Sequence, residues 1–465
     1  RLPVKGKIQL GKRFSIDAAL STGTLSLSRV PEWIAKGGFE AGNIELSLDL
    51  KGKGLNWNGW RTTGWLAMTN GLMNAKGADG PIQDLYLRVH FVRNGAEIKR
   101  LSFRLLGSDL AMEGTVRNWA SKPAIIAKIE SNQMDLDLLI PKGDRSPIRE
   151  FLETLAATST VQATVSMARG HYRHLKFGNL SARVTIQNGM LDVDRLSGRS
   201  SSGEVAGHIV VHLPRKEPAE AEVSVQATGL RVEDLLKLLG EKEGGLATGD
   251  VRVTGTISGH GRNPHGLSPT LNGKVEVRLE NGRMFKSQKR ALWKIISILN
   301  LPAVLQGKVD LEKEGLPYNK ITATMVARNG LFETENLIID SPIVKMTAAG
   351  SFDVSTDQID MVWAVSPFGS YSEFINTIPL FGRIFAGERK GLATALFSVK
   401  GSIEDPEVTY LPMQSFTSGV TGLAQLAFDV LKNTVMLPID LMTPGEGKGA
   451  SKDVIPAPEP APVAP

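Results

Sequence analysis

The sequence predicts a mainly β protein: an elongated, twisted antiparallel β-sheet of repeated β-meanders, with a few short amphipathic helices concentrated toward the C-terminus. Three observations predict it. Apolar and polar residues alternate with period two over many segments, Asn-Gly pairs punctuate those segments, and one unit of nearly constant length recurs along the chain.

The alternation is clearest in Lys274–Leu279, where Val275, Val277 and Leu279 share one face and charged residues the other. Residues 251–257 repeat it with Val251, Val253 and Ile257, and residues 183–187, 220–226, 320–328 and 359–366 follow. Strands with one apolar and one wet face belong to antiparallel sheets, because parallel sheets are covered on both faces. Asn-Gly, a strong hairpin signal, stands beside such segments at Asn94-Gly95, Asn188-Gly189, Asn281-Gly282 and Asn329-Gly330, and recurs at Asn58-Gly59, Asn70-Gly71 and Asn272-Gly273. From the turn glycine to a glycine in a following strand is 19 residues to Gly114, 18 to Gly207 and 20 to Gly350. Helical periodicity is confined to residues 147–157, 232–239, 290–305, 372–385 (with Pro379) and 420–437. Residues 443–465, ending APEPAPVAP, read as a disordered Pro/Ala-rich tail.

Composition narrows the function. The 465 residues, 42% hydrophobic and 22% charged, can bury a large core. The chain has no cysteine, which excludes a disulfide scaffold, a thiol nucleophile and Cys-ligated metal. A net charge of +6 is mild for this length, and its densest basic runs, Lys99-Arg100 and residues 286–290, are short for a nucleic-acid binder. The opening RLPVKGKIQLGKRF lacks an initiator Met and an apolar signal region, so a fragment of a longer protein is expected. The most apolar long stretch, residues 420–442, is interrupted by Asp429, Lys432, Pro438 and Asp440 and reads as an amphipathic helix, not a span.

Nothing in the sequence assembles a catalytic, cofactor or metal site, so no enzyme, no cofactor and no metal is expected. His171 and His174 fall on opposite faces of a strand, and His208 and His212 lie about 13 Å apart along one. His260 and His265 occupy a loop, His90 stands alone, and none has a carboxylate at ligand spacing. The Gly-rich pieces around Gly52 and Gly445 lack a nucleotide-binding context, and residues 200–202 form no nucleophile elbow. Asp360, Asp405 and Glu407 are the carboxylates one would pair for glycan hydrolysis, but nothing ties them together. The remaining feature is the apolar face itself: Val184, Ile186, Val223, Val225, Val275, Val277, Leu279, Ile321, Met325, Met361, Trp363 and Val365. Two readings stand open. The face is the core of a β-sandwich or barrel, or it lines a groove for acyl chains, since the helices are too few to cover so many strands.

Residues 271–413 resemble the C-terminal region of the AsmA-like superfamily, most closely its large YhdP-type branch. The resemblance is carried by Asn281-Gly282-Arg283-Met284-Phe285, the helix at 294–301, Gly315-Leu316-Pro317-Tyr318, Asn329-Gly330 and Ile339-Asp340-Ser341-Pro342-Ile343. It continues through residues 350–354, 357–360, 378–382 and 400–408, and less specifically into the upstream repeats. It implies a groove or taco-like trough. Through it, phospholipid would pass between inner and outer membrane by non-enzymatic, bridge-like lipid transfer in support of outer-membrane biogenesis. It also implies a periplasmic protein anchored to the inner membrane by an N-terminal segment outside this chain. The expected partners are phospholipid acyl chains and, at the ends, the membranes or their proteins, with no nucleic acid. The competing reading is a structural or assembly factor for outer-membrane proteins acting by protein–protein contact. The C-terminal helices either dock on a membrane or cap the sheet. The expected organisation is a β-rich repeat region at 1–140, a second with short helices at 141–270, an AsmA-like C-terminal region at 271–442, and the tail at 443–465.

Overall fold

A computed structural model describes residues 4–9, 14–27, 38–54, 60–74, 80–138, 147–173, 175–200, 202–214, 218–238, 246–261, 268–287, 290–299, 310–367, 394–411 and 421–436. They form one open sheet of 23 strands. At about 4.8 Å between neighbouring strands it runs roughly 95 Å from first to last.

The chain lays the strands down almost in order. β1 (Val4–Gln9), β2 (Ser15–Ser21) and β4 (Phe39–Lys53) pair antiparallel, with the two-residue β3 (Leu25–Ser26) beside the start of β4. β5 (Arg61–Met73), β6 (Ile82–Val92), β7 (Gly95–Leu105), β8 (Ser108–Arg117) and β9 (Ala124–Ser131) continue the meander. After β10 (Met134–Asp135) the direction changes. The chain leaves the sheet through a 3₁₀ turn at Leu136–Leu138 and helix α1 (Pro147–Thr158), then re-enters as β11 (Thr160–Tyr172), parallel to β9. A helical crossover is what parallel neighbours require, so this joint makes the otherwise antiparallel sheet a mixed one.

From β11 the meander resumes through β12 (Leu175–Gln187), β13 (Met190–Ser200), β14 (Glu204–His212), β15 (Ala219–Arg231), β16 (Asp250–Gly261) and β17 (Asn272–Met284). It ends with β18 (Leu316–Arg328), β19 (Leu331–Asp340), β20 (Val344–Asp353), β21 (Gln358–Pro367), β22 (Ala395–Ser402) and β23 (Glu407–Leu411). Hydrogen bonding is unbroken across residue 270, where β16 pairs with β17. Helix α2 (Val232–Leu238) links β15 to β16, and α3 (Ala291–Ile298) and the one-turn α4 (Leu311–Glu314) lie between β17 and β18. Helix α5 (Thr421–Met436) follows β23. The helix expected at 372–385 and the tail lie outside the described residues. No second sheet faces the first among the described residues, so the sandwich and barrel readings fall.

Asn-Gly serves two roles. At Asn188-Gly189 and Asn329-Gly330 both residues have positive φ, and each pair forms a two-residue turn whose twist suits right-handed strands. Asn94 (φ 62°) closes the β6–β7 turn and Gly95 opens the next strand. By contrast, Asn70-Gly71 and Asn281-Gly282 lie inside strands as bulges, and Asn272-Gly273 begins β17. Between the Asp250–Glu280 pair and the Ala247–Met284 bridge, β17 carries one residue more than its partner, with Asn281 at φ 53°. Such an extra residue bends a strand and sharpens its twist. Asn58-Gly59 lies outside the described residues.

Candidate functional site: one apolar face across the sheet

Strand register places all twelve predicted residues on a single face. Val184 stands opposite Val193, Val193 opposite Ile209, and Ile209 opposite Val223. Val225, Gly255, Val275 and Met325 form the next row. Ile321 leads through Ile339 and Met346 to Val365, and Trp363 and Met361 follow at two-residue steps. Ile186, Val277 and Leu279 fall on the same face by the same period. The row also extends upstream of the predicted set: Leu46, Leu66, Val89, Ile98, Gly114, Ala127, Ala163 and Val184 are successive cross-strand partners. The upstream half escaped the sequence reading because bulges between Met68 and Gly71 and between Ile98 and Leu101 shift the period within its strands.

Burial divides this face into three. Val184, Val225, Val275, Val277, Leu279, Ile321 and Met325 are half-buried, and Val223 is 38% exposed. Two helices touch opposite ends of the strands. Ala156 of α1 packs with Val161, Ala163 and Ile186, and Leu235 and Leu236 of α2 pack against Leu230, Val251 and Val277. Over β19–β22 the face is closed. Trp293, Ile295 and Ile296 of α3, with Leu299, Leu311 and Leu316, form one core with Met346, Met361, Trp363, Val365, Phe397 and Val399. Met361, Trp363 and Val365 therefore sit in a closed core and not on an open surface. On the other side of the same strands α5 sets Ala424 and Ala427 against Ala349, Val362, Ala364 and Leu396.

The opposite face of the long sheet is polar. Ion pairs run along its strands at i,i+2: Glu97–Lys99, Lys128–Glu130 and Lys274–Glu276, each with both side chains more than two-fifths exposed. A shallow hollow of about 630 Å³ on this side is lined by Glu113, Lys128, Gln162 and Arg183 together with Ile126.

The titratable groups pair for structural ends. Asp360 bonds Lys400 at 3.0 Å, and Asp405 accepts from Lys294 at 2.6 Å, which separates the carboxylates considered for glycan chemistry. The Ser200 hydroxyl accepts the Gly203 backbone N–H, a polar turn. Burial opposes ionisation of Glu233, but the Arg231 guanidinium, the backbone N–H of Glu233 and the Lys237 charge together outweigh it and hold the carboxyl below its usual range. One constellation was not legible beforehand. The β9–β11 crossover brings Asp135 and Asp137 to His171, with His171 Nε2 3.4 Å from Asp135 Oδ1 and the three ligand atoms within 4.8 Å of one another. This corrects the expectation that His171 has no companion carboxylate, and the same holds for His208, whose Nε2 lies 2.8 Å from Asp192 Oδ1. His174 lies outside the described residues, and the Asp137 carboxylate already accepts the Arg173 N–H.

No helix among the described residues is long and apolar enough to cross a membrane. Comparison with curated proteins and with solved structures finds no match. The family described as YhdP protein matches residues 116–408, which takes in every strand from β9 to β22 and so most of the apolar face. With well over half its length matched in this way, the chain belongs to the YhdP family.

Proposed function

We propose that the apolar face is a track for the acyl chains of phospholipids, carried without bond chemistry between the two membranes of a cell envelope. The observation that carries this reading is the apolar row from β4 to β18, partly exposed over most of its length and backed by a charged, solvated face. Apolar strips of that extent on a folded protein mark binding surfaces. Acyl chains sliding along such a row remain in a hydrocarbon-like environment, which avoids about 0.8 kcal/mol for each CH₂ exposed to water. Headgroups stay at the wet margin, and no cofactor is needed. Family membership and an open sheet both fit lipid transport.

The test is extraction and mass spectrometry of lipid co-purifying with the chain, beside a Val225→Glu/Val275→Glu variant. These two residues flank Gly255 on neighbouring strands, half-buried and outside the packed cores, so the variant is expected to fold. Shielding of three or four CH₂ groups would be lost, about 2.4–3.2 kcal/mol, or roughly 50- to 200-fold in affinity. Phospholipid on the wild-type chain and its loss from a folded variant support the track. No lipid above the level of an unrelated β protein sinks it.

A further inference from the structure

We infer that α3 is a stopper: it ends the acyl path at β18, and acyl chains reach the face of β19–β22 only when α3 is displaced. The inference rests on the acyl-track reading above and adds where the track stops.

The observation is a change of occupancy along one continuous face. Up to β18, Val275, Val277 and Met325 are half-exposed. From β20 onward, Met346, Val365, Phe397 and Val399 are 0% exposed, in one core with Trp293, Ile295 and Ile296 of α3. Protein interiors are close-packed, so a chain cannot share that space with Trp293, Ile295 and Ile296. The helix fills the room that an acyl chain would take further along the row.

Two features distinguish a displaceable stopper from a permanent core. The first is an orphan donor. Trp363 is 92% buried beneath α3, and its indole N–H has no acceptor among the described residues. A buried donor without a partner opposes the closed arrangement, and lifting α3 would offer it to an ester or headgroup oxygen. The second is that the strands do not depend on α3 alone. Their other side carries an independent core, Ala349, Val362, Ala364 and Leu396 under α5, so β20–β22 keep a packed face if α3 moves. The position of α3 is fixed by a polar clasp. Lys294 Nζ donates to Asp405 Oδ1 at 2.6 Å and to the Pro406 carbonyl at 2.7 Å, tying the helix to the β22–β23 turn.

The experiment uses the whole chain with vesicles of a phosphatidylethanolamine that carries a diazirine in its acyl chain. After illumination, adducts are mapped by peptide mass spectrometry in wild type, Lys294→Ala and Lys294→Ala/Ile296→Ala. In wild type, adducts are expected on the strands bearing Val225, Val275 and Met325, and only background on peptides bearing Met346 and Phe397. Both variants should gain adducts on the second set and keep the first. Lys294→Ala only opens a partly exposed clasp and leaves the core side chains in place, so its result stands even if the double variant misfolds. Equal labelling of both sets in wild type, or no gain at Met346 and Phe397 in Lys294→Ala, overturns the stopper and leaves the track standing. Absence of adducts from every strand in all three proteins overturns the track itself.

Discussion

Tyr318 gives the most quantitative handle on the fold. It is 2% exposed, sits opposite Gly282 at the β17 bulge, and donates its hydroxyl to the Thr248 carbonyl at 2.5 Å. Burial first, then the negative charges of Glu233 and Asp250, push its pKa up to about 12. An unfolded tyrosine titrates near ~10. The folded value is the higher one, so the stabilisation is complete below pH ~10 and is lost as pH rises toward about 12. Each pH unit in that window removes about 1.4 kcal/mol, or roughly 2–3 kcal/mol across it. Tyr318→Phe removes this loss at the cost of one hydrogen bond, which leaves the Thr248 carbonyl unpaired and costs about 1 kcal/mol. Wild type should therefore be the more stable at neutral pH, the two should meet near pH ~11, and the variant should lead above it. Urea unfolding at stepped pH reads the crossing. Absorbance near the phenolate band reads the ionisation directly, since the chain has only five tyrosines. If the absorbance removed by Tyr318→Phe titrates in wild type near pH 10, the burial argument is refuted.

Two further predictions separate the closed from the open part of the apolar face and test the acid limb. Val365→Glu places a carboxylate at a 0% exposed position beneath α3 and should cost more than about 3 kcal/mol or abolish folding of that end, whereas Val223→Glu at 38% exposure should change stability by less than about 1 kcal/mol; thermal unfolding by circular dichroism compares them, and similar losses would contradict the division. For Asp109, burial disfavours the charged form, but the N–H groups of Gln133 and Asn132 outweigh it and depress the pKa, so its contribution is full above pH ~4 and lost as pH falls through the lower folded value. The stability gap between wild type and Asp109→Ala should therefore shrink between pH 7 and strongly acidic pH, and a gap independent of pH would refute the assignment.

Much of the sheet was legible because its signal is local. Alternation at 274–279 and 251–257 reports a strand with one buried side whatever its neighbours are, and both segments are paired strands of the sheet. What the sequence concealed is non-local. Asn281-Gly282 carries the same residues as the true turn at Asn329-Gly330, yet it lies within β17 because Tyr318 and Thr248 close over a glycine with no room for a side chain. The parallel joint had a sequence signal, a helical period at 147–157 between two strands, but its meaning depends on where β11 docks. The grouping of Asp135, Asp137 and His171 depends on that docking too, since 36 residues separate Asp135 from its partner. The closed core was hidden for a related reason. Val365 and Val275 look alike in sequence, yet Val365 lies in the core that α3 joins, while Val275 is half-buried and outside every packed cluster.

The two faces of the sheet answer to different solvents, and that asymmetry bears on what the molecule is for. A sandwich buries its apolar face against a second sheet about 10 Å away. Here the described residues provide α1, α2 and α3 at intervals and nothing between them, while the polar face carries exposed ion pairs worth little to stability. An ordinary single sheet this long would be an aggregation hazard, because half-exposed rows of Val, Leu and Met invite any apolar partner. The sequence keeps the row apolar through strand after strand, although polar substitutions at the half-exposed positions would make the chain more soluble at small cost in packing. Among the described residues the row is closed most fully at β19–β22, where Trp293, Ile295 and Ile296 of α3 join the core and Lys294 ties that helix to the β22–β23 turn. Among the described residues, then, the face is partly exposed over many strands and closed at one end beneath a separate helix, and the proposed acyl track and its stopper both rest on that difference.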